Sequence, residues 1–187
     1  MKRKRIIIAH IIIVTLSVSQ LLSQSTRDQR AMIKADESLV VPGIGAEKIL
    51  LGDYAKEILT IKGYPDRIAS FTERKELFAE IFELDSPVKI YFDKIYYYRS
   101  KDAIVFIENS TISSIIGLNS YRITDDAVNL NSGAEYFIFN YGNTGMRTFS
   151  KKENKIYLYE TLGIAIVDDR NDNTIDMYII FMRPKKE

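Results

Sequence analysis

The chain of 187 residues has no cysteine, no tryptophan and a single histidine. Without cysteine there is no disulfide, no thiol nucleophile, no thiolate metal site and no lipid-modified cysteine at a processed N-terminus. Without tryptophan a favoured sugar-stacking surface is missing. The lone histidine, His10, falls in an apolar run next to the N-terminus, so a processed chain would carry no imidazole. That excludes a Ser–His–Asp triad, a Cys–His pair and a histidine-ligated zinc. Paired carboxylates or Ser–Lys chemistry remain open in principle, yet no pair is marked out by its context. The residues point to binding rather than catalysis, and no catalytic residue, metal or cofactor is assigned.

Lys2, Arg3, Lys4 and Arg5 form a basic head, followed by an apolar run from Ile6 to Val18 and small residues at Ser17 and Ser19. This is the layout of a secretory signal peptide. The run is about 13 to 17 residues long, short of the roughly 20 that a bilayer requires. Cleavage is expected between Ser19 and Gln24, and the expected location is periplasmic or secreted. Loss of the leader removes four of the 26 basic residues and leaves 22 against 25 acids. A mildly acidic body argues against a nucleic-acid partner. About 163 residues remain, enough for one domain with a real core or two small ones.

Residues 25–45 read as an N-terminal tether and turn, with Ser25 to about Asp36 a tether or frayed helix and Pro42, Gly43 and Gly45 as punctuation. After that the chain repeats itself. KILLGDYAKEILTIKGYPD (Lys48 to Asp66) and AVNLNSGAEYFIFNYGNTG (Ala127 to Gly145) align at a shift of 79, which places Ile58 on Phe137 and Gly63 on Gly142. In the first copy Asp53 is an N-cap residue, and Tyr54, Ile58 and Ile61 make one helical face. In the second, Ser132 and Glu135 make a capping box. Propensity alone favours a strand over Tyr136 to Phe139, but the repeat predicts a helix. Gly63 and Gly142 are placed to end these helices.

Three strands are predicted after each copy: Val88 to Arg99, Ala103 to Glu108 and Thr111 to Gly117, then Lys155 to Tyr159, Leu162 to Val167 and Thr174 to Arg183. Here Ile104 matches Ile164, a shift of 60. An amphipathic helix from Ser70 to Leu84, opened by a Ser70–Glu73 capping box, accounts for the difference as an insertion in the first half. The expected fold is α+β, made of two tandem units at 46–118 and 119–187. Each unit would pack a short helix or helix pair on an antiparallel sheet of three or four strands, covered on one face.

The string LLGDYAKEILTIKGYPD (Leu50 to Asp66) resembles a signature of two related exported groups: the β-lactamase inhibitor protein family and the small outer-membrane assembly lipoproteins of the BamE type. Gly52, Asp53, Gly63 and Pro65 match it; Asn131, Ser132 and Gly142 match it imperfectly. The resemblance implies helix pairs on an antiparallel sheet and, as in the inhibitors, a tandem duplication over nearly the whole mature chain. The inhibitors are disulfide-bonded and the lipoproteins need a lipidated cysteine. Neither feature exists here, so inhibition of a lactamase is not implied.

The candidate interaction surface is tyrosine-rich: Tyr91, Tyr96, Tyr97 and Tyr98 on the first sheet, Tyr157 and Tyr159 on the second, with Tyr121 and Tyr141 nearby. Side chains alternate across a strand, so three consecutive tyrosines cannot all enter one core, and exposed tyrosine is a common anchor for recognition. VPGIGAEK lacks the spacing and the ending of a phosphate loop. Asp169, Asn171 and Asn173 stand at alternate positions, as calcium ligands do. With Thr174 and Ile180 where an EF-hand needs glycine and glutamate, a polar hairpin from Val167 to Ile175 is the favoured reading. The expected partner is another envelope or extracellular protein, with the membrane touched only through an uncleaved leader. The alternatives are a small-ligand or glycan-binding envelope protein and a carboxylate or Ser–Lys hydrolase.

Overall fold

Apolar residues recur at every second position over much of the chain, and in the computed structural model those runs become strands that pair side by side. The structure describes residues 24–118, 122–151 and 154–183; the leader with His10, Tyr121 and the tail from 184 onward lie outside the described residues. Helix α1 runs over 24–35. It leads into β1 (Leu39–Val41), β2 (Gly45–Ala46), β3 (Ile49–Leu50) and α2 (Ala55–Lys62). Then come β4 (Arg67–Glu76), α3 (Leu77–Phe82), β5 (Tyr91–Tyr98), β6 (Ala103–Glu108) and β7 (Thr111–Gly117). After β8 (Ile123–Thr124) and α4 (Ala134–Tyr141) the chain closes with β9 (Met146–Lys151), β10 (Asn154–Tyr159), β11 (Ile164–Asp168) and β12 (Met177–Phe181).

The fold is α+β. A small sheet has the order β3-β2-β1-β8, and a large one the order β4-β5-β6-β7-β12-β11-β10-β9. Every neighbouring pair in the large sheet is antiparallel. It is closed at its middle by β7 on β12, where Ile116 pairs with Ile179 and Ile115 with Ile180.

Of the two readings of Ser25 to Asp36 the helix is the one formed, and the turn at Pro42 and Gly43 is present. Helix α1 is docked on the body: Ile33 is fully buried in a cluster with Leu39, Val41 and Leu50, and Arg30 and Lys34 pair with Asp53. Asp53 is therefore spent on α1 and does not cap α2, whose N-cap is Tyr54 with no side-chain hydrogen bond. The buried stripe of α2 is Ala55, Ile58 and Lys62, so Tyr54 and Ile61 are outside it. In α4 the buried residues are Ala134 and Phe137. Here the prediction of a helix holds over residues that prefer strands locally, because burial of Phe137 outweighs a propensity of a few tenths of a kcal/mol. Ser132 does not cap α4. Asn173 does, accepting the Ala134 N–H at its carbonyl (3.0 Å) and the Glu135 N–H at its side-chain Oδ1 (2.7 Å).

The helix predicted over Ser70 to Leu84 is also revised. Residues up to Glu76 are strand, because pairing with β5 (Ser70 with Lys94, Lys75 with Phe92) satisfies the backbone, with an irregularity between the two pairs. Only Leu77–Phe82 is helical. Its cap is Glu76, whose carboxylate accepts the N–H groups of Phe78 (3.2 Å) and Ala79 (2.8 Å).

The sheet is covered on both faces, not one. Tyr98, Val105, Ile115, Tyr159, Ile166, Tyr178 and Ile180 share a core with α2, α4 and the small sheet. On the opposite face Phe92, Ile95, Phe106, Leu158, Ile179 and Phe181 pack with Leu77, Phe78, Val88 and Ile90 of α3 and the segment after it. Double coverage explains why β11 and β12 read as nearly unbroken apolar runs.

One hydrogen bond occurs in both halves. The hydroxyl of Tyr98, last residue of β5, donates to the carbonyl of Gly63 at the end of α2 (3.1 Å). The hydroxyl of Tyr159, last residue of β10, donates to the carbonyl of Gly142 at the end of α4 (3.1 Å). Both glycines combine positive φ with extended ψ (77°, −162° and 74°, 177°), a region that is essentially glycine's alone. The register pairs Tyr98 with Ala103 and Tyr159 with Ile164, so Ile164 corresponds to Ala103, one residue from the match read off the sequence. Truncating either ring, Tyr98→Ala or Tyr159→Ala, should cost about 3–5 kcal/mol in denaturant unfolding, like other large aromatic deletions. Tyr→Phe at the same positions should cost only about 1 kcal/mol, the value of one hydrogen bond.

Candidate recognition surface and buried polar centre

The structure divides the six tyrosines of the candidate surface. Tyr98, Tyr157 and Tyr159 are buried, so they are core residues and not a recognition surface; the helices α2 and α4 cover the face on which they lie. Tyr91, Tyr96 and Tyr97 are half-buried. Alternation splits the run between two cores, with Tyr96 and Tyr98 on the α2 side and Tyr97 on the α3 side, because the sheet is covered on both faces. Two of the half-buried rings are covered by cations of the edge strand: the guanidinium of Arg74 lies 4.0 Å from the Tyr91 centroid and that of Arg67 lies 5.5 Å from Tyr97. Tyr141 is half-buried as well, stacked on Phe137 at 4.5 Å.

A polar centre that sequence reasoning missed lies inside the molecule. Glu47 and Lys48 form the two-residue turn between β2 and β3, both with positive φ (54° and 67°). This turn type favours Asn-Gly, so side chains here come at a conformational cost. The turn directs the Glu47 carboxylate inward, where it accepts from Lys62 Nζ (3.0 Å) and the Tyr178 hydroxyl (2.7 Å), with Arg122 Nε at 3.5 Å. Lys62 also reaches Glu37 (2.8 Å), and that bond holds the Glu37 carboxyl below its usual range. Tyr178 arrives by lying across Gly117, where an added Cβ would come within 2.0 Å of the ring. Burial, and then the neighbouring Glu47 charge, push the Tyr178 phenol far above its ordinary value. Glu47, Lys62 and Tyr178 are all buried, so the centre fastens the small sheet to α2 and β12 rather than meeting a substrate. The signal was present in the sequence: Lys62 stands seven residues after Ala55, on the helix's buried stripe.

The acid-rich loop joins β11 to β12. The carboxylate oxygens of Asp168, Asp172 and Asp176 lie within 4.8 Å of one another. Each is already engaged in building the loop. Asp168 accepts the N–H groups of Asp172 (3.0 Å) and Asn173 (2.9 Å), and Asp176 accepts that of Asp169 (2.7 Å). Asp172 accepts from Thr174 (3.0 Å), which holds its carboxyl below the ordinary range. The loop's visible task is to present Asn173 to the start of α4.

The exposed aromatic rings are elsewhere. Tyr64 is 88 % exposed and Phe139 85 %, with Tyr54 at 59 % and Tyr136 at 45 %. Tyr54 and Tyr64 flank α2, and Tyr136 and Phe139 lie on α4. Because both helices pack on the same face of the large sheet, these rings are all on the helix-bearing side of the molecule. The sequence signal was their position off the buried stripes, with Tyr64 held between Gly63 and Pro65.

No family model matches the chain, and no curated protein matches it. Among solved structures it is similar to an extracellular SCP-domain protein of Bacillus anthracis (9 % identity, 71 % of this chain and 44 % of that one, TM-score 0.41). It is similar to a cysteine-rich secretory protein of Staphylococcus aureus (14 %, 76 % and 47 %, TM-score 0.45). It is also similar to a DUF4309 family protein of Bacillus subtilis (14 %, 84 % and 95 %, TM-score 0.45). The chain spans less than half the length of the first two.

Lys62→Met takes the nearer of its two cations from the buried Glu47 carboxylate, leaving Arg122 at 3.5 Å, and should cost about 3–5 kcal/mol in equilibrium unfolding. Adding Glu47→Gln should recover part of that loss. The alkaline limb of stability has its own cause: burial raises the Tyr98 and Tyr159 phenols from 10.0 to about 12. The native state therefore keeps protons that the unfolded chain releases. Their stabilisation is whole below pH 10 and is lost as pH rises toward 12. Thermal melts should hold level up to about pH 10 and fall above it, with part of the phenolate absorbance appearing only on unfolding.

Proposed function

We propose that this chain is a non-catalytic protein-interaction module, exported to the periplasm or the extracellular space and built from two tandem α+β units at 46–118 and 119–187. Its partner is another envelope or extracellular protein, met on the helix-bearing side by Tyr54, Tyr64, Tyr136 and Phe139. The observation that carries this reading is the near-complete exposure of Tyr64 and Phe139 in a chain whose large sheet is buried on both faces. Rigid aromatic rings lose little entropy on binding and dominate recognition hot spots.

Support for the tandem reading comes from recurring parts. Helices α2 and α4 begin 79 residues apart, each is followed by four strands of the large sheet, and each ends at a glycine whose carbonyl receives a tyrosine hydroxyl. The resemblance to the β-lactamase inhibitor family and the BamE-type lipoproteins belongs to this proposal as a fold alone. The leader-like N-terminus supports export, and a mature body with neither imidazole nor thiol supports the absence of catalysis.

The mature chain used as bait in an envelope extract should retain a defined protein. Tyr64→Ser and Phe139→Ser should each reduce that recovery about tenfold while unfolding free energy stays within about 0.5 kcal/mol, as expected for exposed positions. Unchanged recovery in the double variant would overturn the assigned surface. Turnover of a substrate by purified protein, abolished by one acidic or hydroxyl substitution, would overturn the non-catalytic reading.

A further inference from the structure

Helix α3 and the residues after it form a strap across the second face of the large sheet. Its roots are fixed, with Leu77, Phe78, Val88 and Ile90 buried in the core. Between the roots the strap passes over the sheet from the β4 edge toward the β9 edge. The Phe78 ring meets Phe181 of β12 at 6.4 Å, and Glu83 reaches Lys151 of β9. At its tip is a half-open pocket of about 160 Å³, lined on the strap side by Ile81, Phe82, Glu83 and Leu84 and on the sheet side by Phe149, Lys151, Asn154 and Ile156. In the second half only residues 152 and 153 separate β9 from β10 in the sequence, so a segment of this length has no place between them.

We infer that this cavity is a binding site for a small apolar monocarboxylate, the size of benzoate or hexanoate, with Lys151 as the residue that receives its charge. The volume sets the size of the apolar part. A benzene ring needs a space of about 150 Å³, and five of the eight side chains that line this pocket are apolar, with Glu83, Lys151 and Asn154 as the polar ones. Lys151 sets the head group. Its ammonium stands at the mouth and donates to a carboxylate already, that of Glu83, and to the Glu83 backbone carbonyl (3.1 Å). The Glu83 side chain thus occupies the position of the ligand's head. When a ligand carboxylate replaces it, the bond to the backbone carbonyl still holds the ammonium over the opening. The exchange trades one charge-assisted hydrogen bond for another and lets apolar carbon fill the space beneath. Glu83 caps α3 with φ 49° and its side chain is largely exposed, so displacing its carboxylate from Lys151 requires no unwinding of the helix and no movement of the strap's roots.

The test is an NMR titration of the ¹⁵N-labelled mature chain with sodium benzoate and, at matched ionic strength, with benzyl alcohol. Benzoate should shift the amide signals of residues 81–84 together with those of Phe149, Lys151 and Ile156, and should bind at least tenfold more tightly than the alcohol. Lys151→Met should weaken benzoate about tenfold and leave benzyl alcohol unchanged. Glu83→Gln should act in the opposite direction and strengthen benzoate several-fold, because the internal competitor is gone. Both substitutions are at exposed positions, and a thermal melt of each checks that the fold is retained. No shift at these residues, equal binding of acid and alcohol, or the same response to benzoate in both variants would overturn the site.

Discussion

The pairing of β7 with β12 is the contact on which the architecture depends. Four residue pairs, from Ser114 with Phe181 to Gly117 with Tyr178, merge two four-stranded halves into one sheet. Were each half to stand alone, β7 and β12 would be open edges of apolar sequence, an invitation to aggregate. Joined, they become central strands, and among the described residues the edges of the large sheet are β4 and β9. Those edges carry Arg67, Arg74 and Lys75 on one side and Arg147 and Lys151 on the other, together with the irregular register of β4. Charge and distortion of this kind discourage further pairing.

A central pair buried on both faces needs cover on both, and the two covers are unlike each other. On one face α2 and α4 lie over the sheet, each ended by a glycine that receives a tyrosine hydroxyl. The Glu47 centre fastens the small sheet beneath them. A charge cluster of this depth contributes less to net stability than its hydrogen bonds suggest, since desolvation offsets much of the attraction. What it provides is a fixed position: Tyr178 meets Glu47 only because Gly117 leaves room for its ring. On the other face one strap of α3 and its following segment does the covering, rooted by four buried side chains.

This division shapes how the molecule meets others. Tyrosines that a strand-level reading assigns to a surface are used internally, as ring packing for Tyr157 and as hydrogen-bonded struts for Tyr98 and Tyr159. The rings left to solvent are on the outer side of the helices and at their ends, where a side chain off the buried stripe has nothing to pack against. The recognition surface proposed on the side of α2 and α4 and the ligand site inferred under the strap are on opposite faces of the large sheet, so the two proposals are physically separate.

Much was legible from residues alone because it is local. The α+β class and the boundaries of β6 and β7 follow from period-two and period-3.6 patterns, whereas the helix at α4 follows from its alignment with the first copy of the repeat and runs against its own strand propensity. The absence of thiol and tryptophan is complete in the sequence itself. Other features could not be read locally because their partners are far away in the chain. Ser70 to Glu76 has a helical pattern, yet its backbone groups pair with β5. Asp53 is a good cap by type, yet α1 claims it. Whether Tyr98 is surface or core depends on a helix thirty-odd residues earlier, and whether Lys62 is solvated depends on a turn at Glu47. Sequence determined which residues could form strands, helices and turns; only tertiary structure decided which of their faces are covered, because coverage comes from elements that neighbouring residues do not specify.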